Sequence, residues 1–489
     1  MKTIALLPLL MASSLVLVSS TGISWSQDGF RTSARPYISP TGEGSFSFRQ
    51  LLTAGDIVPL TGSSTGKYRF VGASSGLGAL PTTVGGKPAL RMLVAHEGWS
   101  DSISEPIIGA PGFRGSFVSE YVLRPDGTIV SGGPAYDTVW NVNTLLGPAA
   151  RTNNSTLAIG IFGGRLYGTD SGFDRPIYIA SSLALFDRQL HTLPWLQSVV
   201  AVHPRQDKYF VAFINFPVWT IDEFQAPSYL FMFVGVKDPR PSQSVLRRNG
   251  LDNGRLFVLS SDIQVSEGNL PAGPVSCRWV PFSDAFLSGA PFWQQYDHWP
   301  LQYFAEYNSS AVRFNRITSG APNRKNVNSV YFTTRDAAQD YPHFAPPNTD
   351  LGGLYELQLS ADPREKCTLR KVYSARDVLA AGKDIALDPV KMEASQDYVV
   401  IAESSSFMTQ PILDAKKRGE SLWSLKISDG FSALREADIG GVSGILDVGG
   451  VINRPGAFLI NAQNSTSIPT TPGNILGGGQ ISLMFTTDL

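Results

Sequence analysis

The chain has 489 residues, of which 43% are hydrophobic and 17% charged, and it contains 47 glycines and 33 prolines. This composition excludes a disordered or fibrous protein and is typical of a large globular chain with many turns. The formal net charge is −1 and the longest basic block is residues 416–418. We therefore expect no nucleic-acid partner.

The first residues have the layout of a cleaved secretory signal. Lys2 precedes an apolar run over residues 4–18, and small residues follow at 19–22. The run is shorter than the roughly 18 or more apolar residues that span a membrane, and no later run approaches that length. We predict a signal peptide at 1–22, a single domain at 23–489, no membrane span, and a secreted or secretory-pathway lumenal location.

Along the mature chain, short runs rich in β-branched and aromatic residues alternate with Gly- and Pro-rich turns. The strand-like runs are residues 67–72, 76–80, 90–95, 112–123, 156–162, 177–180, 209–214, 229–236, 255–259, 329–334, 353–359, 398–402, 421–427 and 456–460. Helical patterns are short: one covers residues 375–381 before Gly382, and another lies near 283–287. The sequence predicts an all-β fold.

The size of the chain narrows the all-β architecture. No linker or composition shift divides the mature chain, and an open sandwich of this length would be unusual. A β-propeller arranges four-stranded blades around an axis at about 40–50 residues per blade. We therefore predict a single β-propeller of about five to seven blades with long loops.

Secretion determines how the two cysteines and the Asn-x-Ser/Thr triplets are interpreted. In an oxidising compartment, Cys277 and Cys367 are predicted to form one long-range disulfide, with two free thiols as the alternative. Two thiolates alone cannot make a structural zinc site. The triplets predict glycosylated surface asparagines at Asn153, Asn154, Asn308 and Asn464.

Eight stretches across the mature chain carry a family resemblance. They are residues 68–72 with 76–79, 94–97, 114–123, 233–237, 251–257, 312–316, 330–334 and 441–447. In these stretches, and in their order, the chain resembles the PhoX-like secreted alkaline phosphatases. The resemblance implies a β-propeller with calcium and iron at an axial site.

The chain departs from this family at the positions of the metal ligands. Where family members carry Asn-His-Glu and Arg-Pro-Glu-Asp, it has Ala-His-Glu at 95–97 and Arg-Ile-Thr-Ser at 316–319. The family's Asn-Gly-Glu-Glu strand end corresponds to Ile-Ala-Ser-Ser at 179–182. Its Glu-Asp and Asp-Asn pairs correspond to Glu-Ser at 403–404 and Lys-Asp at 383–384. Most of the oxygen ligands are therefore missing.

The remaining carboxylates at these positions are Glu97, Asp384 and Glu403. Calcium takes about six to eight oxygen ligands, and a phosphatase site also needs positive charge. We therefore expect no metal cofactor, with calcium and a metal-dependent phosphoesterase as the alternative. His96 and Glu97 can also be a hydrogen-bonded structural pair without a catalytic role.

Aromatic residues are frequent around the same predicted strand ends. Trp99, Trp195, Phe216 and Trp293 lie beyond or between strand-like runs. Most aromatic residues of a propeller pack between blades, whereas those on loops can line an apolar pocket. Together with Arg114, they suggest an apolar organic ligand in place of a metal.

In this respect the whole chain resembles the fungal hetero-Diels–Alderases of tropolone–sesquiterpenoid biosynthesis, which are secretory-pathway β-propellers. The resemblance implies a cycloaddition between a quinone methide and a terpene alkene such as humulene, in secondary-metabolite biosynthesis. A non-catalytic propeller that binds a ligand or glycan remains a further alternative. The expected roles are hydrogen bonds to the ring oxygens from Arg114, Arg316 or His96, help in water loss from Glu97 or Glu403, alkene packing by Trp99, Trp195 and Trp293, and further substrate contacts from Phe216 and Asp384.

Overall fold

The structure is a computed structural model. It describes residues 29–72, 74–96, 108–109, 117–135, 139–141, 150–152, 161–167, 173–182, 198–203, 208–215, 228–251, 254–282, 305, 310–335, 351–403, 420–463 and 478–487. Most of these residues belong to antiparallel sheets, and the described helices are short connections.

Four strands precede the first blade: β1 (Ile38–Pro40), β2 (Phe46–Thr53), β3 (Ile57–Pro59) and β4 (Lys67–Arg69). Blade 1 consists of β5 (Ser74–Val84), β6 (Lys87–His96), β7 (Phe117–Leu123) and β8 (Ile129–Pro134). A hairpin follows, formed by β9 (Val139–Asn141) and β10 (Ala150–Thr152). Blade 2 contains β11 (Ile161–Tyr167) and β12 (Ile177–Ser182), and β11 lies parallel to β5.

Blades 3 and 4 share one nine-stranded sheet. Blade 3 consists of β13 (Ser198–Val202), β14 (Tyr209–Asn215), β15 (Leu230–Val236) and β16 (Gly254–Ser261), with α1 (Val245–Arg248) between the last two and β17 (Val275–Pro281) after them. Blade 4 consists of β18 (Arg316–Pro322), β19 (Ser329–Arg335), β20 (Gly353–Leu359) and β21 (Cys367–Ser374). The outer strands β17 and β21 pair and join the two blades.

The last two blades follow a short helix, α2 (Ala375–Ala380). Blade 5 consists of β22 (Pro389–Ala394), β23 (Tyr398–Glu403), β24 (Ser421–Lys426) and β25 (Ser432–Ile439). Blade 6 consists of β26 (Val442–Asp447), α3 (Gly449–Ile452), β27 (Ala457–Ala462) and β28 (Gln480–Thr486).

The innermost strands form a closed ring. They are β5, β11, β13, β18, β22 and β26. Each packs directly beside the next around the axis, except that β11 and β13 are connected through β12. The described part of the chain therefore has six blades, and the prediction of an all-β propeller is confirmed.

The N-terminal strands β1 and β2 complete blades 5 and 6, whose other strands lie furthest along the sequence. Strand β2 pairs with β28 and forms the outer strand of blade 6, from Phe46 opposite Thr486 to Thr53 opposite Gln480. Strand β1 pairs with β25 at the outer edge of blade 5. The two ends of the chain thus close the ring with backbone hydrogen bonds.

The core lies between neighbouring blades rather than at one centre. Side chains alternate along the strands, as in β7, where Phe117, Tyr121 and Leu123 are buried and Glu120 is partly exposed. A large apolar cluster of this kind fills the space between blades 3 and 4. Each blade buries one face against the next, which explains why so many strands have apolar residues on both faces.

The two cysteines face each other at the junction of blades 3 and 4. Cys277 on β17 and Cys367 on β21 are register partners, and both are buried. In the structure they are free thiols, and the predicted disulfide is not observed. Their side chains are close enough that a hydrogen bond with Cys277, together with burial, raises the pKa of Cys367.

The helix predicted at residues 375–381 is confirmed as α2. The Ser374 side chain caps it by accepting a hydrogen bond from the Asp377 amide at 3.3 Å, and Gly382 follows it with φ +71°. The other candidate helix, near 283–287, and the signal peptide at 1–22 lie outside the described residues. Among the helices that the structure describes, none has the length and apolar character needed to span a bilayer.

Candidate functional site

The described candidate site residues lie at one end of the propeller. His96 ends β6 and Glu403 ends β23, whereas Arg316 begins β18 and Asp384 precedes β22. In each blade the second strand runs back toward the start of the innermost strand, so these positions belong to the same end of the ring. We call this end, where the innermost strands begin, the upper face, and the opposite end the lower face.

His96 is a core residue of blade 1. It is fully buried, stacked on the Phe117 ring at 4.7 Å, with the Phe70 ring edge-on at 5.7 Å. Its Nε2 lies 2.7 Å from the Ser119 hydroxyl and its Nδ1 lies 3.3 Å from the Gly72 carbonyl. The carbonyl can only accept, so Nδ1 carries the proton and Nε2 accepts from Ser119.

Burial makes His96 a weak base. Desolvation lowers the pKa of His96 to about 4, against the opposing effect of its bonds to the Gly72 and Val71 carbonyls. The Ser119 hydroxyl is also 2.5 Å from the Tyr68 hydroxyl, which is buried as well. Both ring nitrogens of His96 are occupied by protein partners, so this arrangement assigns it to a neutral core network rather than to the expected contact with a substrate oxygen.

Glu403 is fully buried where blade 5 reaches the upper face. Its Oε2 accepts a hydrogen bond from the Leu387 amide at 2.9 Å, and it is the register partner of Pro389 at the start of β22. The carboxylate therefore holds the chain that enters the innermost strand.

A buried ion pair that the sequence analysis did not identify lies beside Glu403. Arg335 at the end of β19 donates from Nε to Asp388 Oδ1 at 3.1 Å and from Nη2 to Oδ2 at 2.9 Å. Both side chains are only 6% exposed. The two parallel bonds make this a bidentate pair, which fixes the guanidinium plane. It connects blade 4 to the entry of blade 5.

Asp388 adopts an uncommon backbone conformation. Its φ is +48°, in the left-handed region that non-glycine residues rarely occupy. Gly352, with φ +88°, permits the close approach of this segment, because a Cβ there would lie 2.6 Å from Pro389 Cδ and 2.6 Å from the Thr334 carbonyl. Conformational strain of this kind is often found at functional sites.

Arg316 and Asp384 differ in their settings. Arg316 is half-buried and is the register partner of Arg335, so two cationic side chains begin from neighbouring positions at the upper face. Asp384 is exposed, and its Oδ1 accepts from the Ile385 amide at 3.0 Å. The structure thus puts Arg316 beside the Arg335–Asp388 pair and leaves Asp384 on the surface of the loop.

Glu267 is a further buried carboxylate that the sequence analysis missed. It is 1% exposed, accepts from the Asn315 amide at 2.8 Å, and also accepts from the Thr334 hydroxyl. Asn315 directly precedes Arg316, so Glu267 supports the start of β18. No local sequence signal marked Glu267, because it lies in a short 3-10 turn outside the predicted strands.

Comparison with known proteins shows what the fold is similar to. No protein-family model and no curated protein sequence matches the chain. The fold is similar to that of PhoX from Pseudomonas fluorescens. That structure, a complex with vanadate, a transition state analogue, has a TM-score of 0.62 and 13% identity, and the match covers 94% of this chain and 98% of PhoX. Such low identity shows the fold alone.

Two further solved structures are similar only weakly. A luciferin-regenerating enzyme has a TM-score of 0.28 at 9% identity, with 88% of this chain and 96% of that chain covered. A sialidase has a TM-score of 0.30 at 8% identity, with 91% of this chain and 33% of that chain covered. The PhoX-like propeller resemblance is thus confirmed, and the hetero-Diels–Alderase resemblance gains no support from these structures.

The described side chains do not form the donor set of a PhoX-like metal centre. Within the described ranges, no group of three or more His, Cys, Asp or Glu side chains is arranged to hold a metal ion. Asp388 is paired with Arg335, Glu403 accepts from Leu387, and Asp384 is exposed. These residues do not fit calcium, which needs several converging oxygens.

The remaining candidate residues lie outside the part of the chain that the structure describes. They are Glu97, Trp99, Arg114, Trp195, Phe216 and Trp293, together with the predicted glycosylation sites Asn153, Asn154, Asn308 and Asn464. Their assignments stay predictions.

Proposed function

We propose that this chain is a propeller enzyme of the secretory pathway that accelerates a hetero-Diels–Alder cycloaddition between a quinone methide and a terpene alkene. One observation carries the proposal. The described buried carboxylates of the upper face, Glu267, Asp388 and Glu403, all bond to protein donors and so hold the site's own backbone and Arg335 in place. Because these carboxylates are already bonded to the protein, they hold polar groups in fixed positions and are not arranged as ligands for a cation. Such an arrangement suits a reaction that is accelerated by orientation of the reactants and by electrostatics.

In this reaction a hydroxymethyl-substituted ring first loses water. The ring hydroxyl releases its proton, the hydroxymethyl oxygen takes up one proton and leaves as water when its C–O bond breaks, and a quinone methide forms. Its exocyclic carbon then bonds to one alkene carbon while the ring oxygen bonds to the other, and no atom is lost. Negative charge that develops on the ring oxygen in the transition state is stabilised by a positioned hydrogen-bond donor.

Among the described residues, Arg316 is our choice for that donor. It begins the innermost strand β18 at the upper face and is half-buried. Glu267 fixes the preceding amide, so the backbone that carries Arg316 is held before substrate arrives. Glu403 would assist water loss indirectly, because it fixes the backbone segment that enters β22. The aromatic residues expected on the loops would form the apolar wall against which the alkene packs.

The test follows product formation from a quinone-methide precursor and humulene, with and without protein. We expect the protein to raise the rate and to set the stereochemistry, and Arg316→Met to lower the protein-dependent rate by about 100- to 1,000-fold, because one donor to a developing oxyanion is lost. Arg278→Gln is the matched control, since Arg278 lies on outer strand β17 and is 48% exposed. An unchanged rate and stereochemistry with wild-type protein would leave a ligand-binding propeller as the remaining hypothesis.

A phosphoesterase is the second candidate, supported by the fold similarity to PhoX in its vanadate complex. Arg316, which begins beside the Arg335–Asp388 pair, would supply the positive charge that such chemistry requires. Metal analysis and hydrolysis of a generic phosphate monoester separate the candidates. We expect cycloaddition to survive treatment with a chelator; stoichiometric calcium and iron with phosphatase turnover would reject the cycloaddition proposal.

We also propose that the protein matures in the secretory lumen, with glycans at its Asn-x-Ser/Thr sites and a disulfide between Cys277 and Cys367. Support for the disulfide comes from their facing positions on β17 and β21. Two thiols and a low-molecular-weight disulfide would exchange to give the protein disulfide and two reduced thiols.

Reduction should therefore destabilise the protein. The bond would close a loop of 90 residues (367 − 277 = 90), from the positions of the two cysteines, and a loop of this length stabilises by about 4.6 kcal/mol in the chain-entropy model. We expect thiol titration of unfolded, unreduced protein to find no free thiol, and Cys277→Ser to lower the melting temperature to that of the reduced protein. Two titratable thiols in protein from an oxidising compartment would contradict the proposal.

A further inference from the structure

Charged side chains meet at the lower face, away from the candidate site. Arg165 lies on β11, Glu393 on β22 and Asp447 at the end of β26, all of them innermost strands, and Arg324 follows β18. These are the far ends of the strands that begin at the upper face.

The central contact of this group is a bidentate ion pair. Arg165 Nη2 donates to Glu393 Oε1 at 2.9 Å, and Arg165 Nη1 lies 2.7 Å from Oε2. The side chains are 16% and 1% exposed, and Oε1 also accepts from the Ala394 amide at 3.0 Å. The pair is thus buried, fork-shaped and additionally hydrogen-bonded.

The ring topology places this pair on the axis. Around the closed ring, β11 is followed by β13, β18 and β22 in one direction, and by β5, β26 and β22 in the other. Strands β11 and β22 are therefore opposite each other, and a direct contact between their side chains has to cross the channel. A longer contact, 3.7 Å from Arg324 Nε to Asp447 Oδ2, connects blades 4 and 6 at the same end.

We propose that the Arg165–Glu393 pair is an axial strut, which joins blades 2 and 5 and closes the channel at the lower face. Substrates then reach the axis from the upper face. A buried ion pair contributes little net stability compared with an apolar pair of similar volume, because both ions lose their hydration. Its value here lies in bridging opposite blades that share no backbone hydrogen bonds. The consequence for catalysis rests on the proposed function, whereas the strut itself does not.

A double-mutant cycle tests the strut without any assay of activity. Arg165→Met and Glu393→Met should each lower the melting temperature by roughly 5 °C, because each leaves a buried ion without its bidentate partner, and the double variant should regain most of that loss. Losses that simply add would overturn the strut. If a single variant fails to fold but the double variant folds, the recovery supports the strut. If all three variants fail to fold, no recovery occurs and the strut is rejected.

The matched control is an Arg–Glu pair within a single blade. Arg370 on β21 and Glu356 on β20 are neighbours in blade 4, and Arg370 is 41% exposed. Arg370→Met should shift the melting temperature by roughly 1 °C or less, because exposed pairs contribute little. A shift as large as that of Arg165→Met would mean that the axial position has no special role.

Closure of the channel has its own readout. Arg165→Ala/Glu393→Ala removes the side chains that fill the axis, so water can reach a bound quinone methide and add to its exocyclic carbon, which regenerates the hydroxymethyl compound. We expect a several-fold larger share of this hydration product than with Arg165→Met/Glu393→Met, which keeps the volume. Equal shares from two active variants would overturn closure. Failure of the wild-type protein to form cycloadduct would instead reject the proposed function, with the stability cycle unaffected.

Discussion

Replacing Asp388 with asparagine should lower the free energy of unfolding by about 3 kcal/mol, because it leaves the buried Arg335 guanidinium without its counter-charge. Asparagine tolerates the left-handed conformation that Asp388 adopts, so the backbone contribution should change little. Denaturant unfolding measures the loss. Arg335→Met/Asp388→Asn should recover part of it, since the uncompensated charge is then gone.

The matched control for Asp388 is a surface pair with the same chemistry. Arg364 binds Asp362 through Nε at 2.9 Å and through Nη2 at 2.5 Å, with side chains 40% and 34% exposed. Asp362→Asn should cost about 0.5 kcal/mol or less, because solvent screens the pair. Equal losses for Asp388→Asn and Asp362→Asn would show that burial of the Arg335–Asp388 pair has no energetic weight.

Acidification should destabilise the protein through His96 between pH 6.5 and about 4. The pKa of His96 is about 4 when folded and 6.5 as the reference value, so the unfolded state binds the additional proton in this window and stability falls as the pH falls. The full effect is about 3 kcal/mol. Above pH 6.5 the contribution of His96 is complete and constant.

Several buried carboxylates act in the opposite direction. Desolvation raises the pKa of Glu393, Glu436 and Asp447, so the folded state binds their protons more readily and their ionisation destabilises it as the pH rises. The measurement for His96 is therefore a difference between wild type and His96→Gln in unfolding free energy across pH. The variant should be less stable at neutral pH, and the difference should shrink toward pH 4. Parallel curves would contradict a neutral, buried His96.

Sequence patterns located the strands whose residues are strongly apolar or β-branched. The runs at 209–214, 329–334 and 353–359 correspond closely to β14, β19 and β20. They missed innermost strand β22, which reads Pro-Val-Lys-Met-Glu-Ala, because its buried Glu393 pairs with Arg165 of another blade and does not face solvent. Lys391 and Glu393 would be surface residues in an isolated sheet. A local pattern cannot anticipate a partner from an opposite blade.

The candidate site was predictable in position but not in detail. Strand-end reasoning brought His96, Arg316 and Glu403 to the same face. It did not predict that His96 would have both ring nitrogens occupied, since its partners come from two separate segments: Ser119 from strand β7 and Gly72 from the bend before β5. The Arg335–Asp388 pair was invisible for the same reason: its members are 53 positions apart and meet only after two blades pack.

Closure of blade 6 by β2 and β28 has a consequence for biosynthesis. Residues Phe46–Thr53 are synthesised long before their partners, Gln480–Thr486. During synthesis the early strand therefore has an unpaired edge, which is the kind of surface that associates with other chains. A ring joined through its two ends also has many non-local contacts, which slow folding. Folding of this protein should thus depend on chaperones that shield strand β2 until β28 has been made.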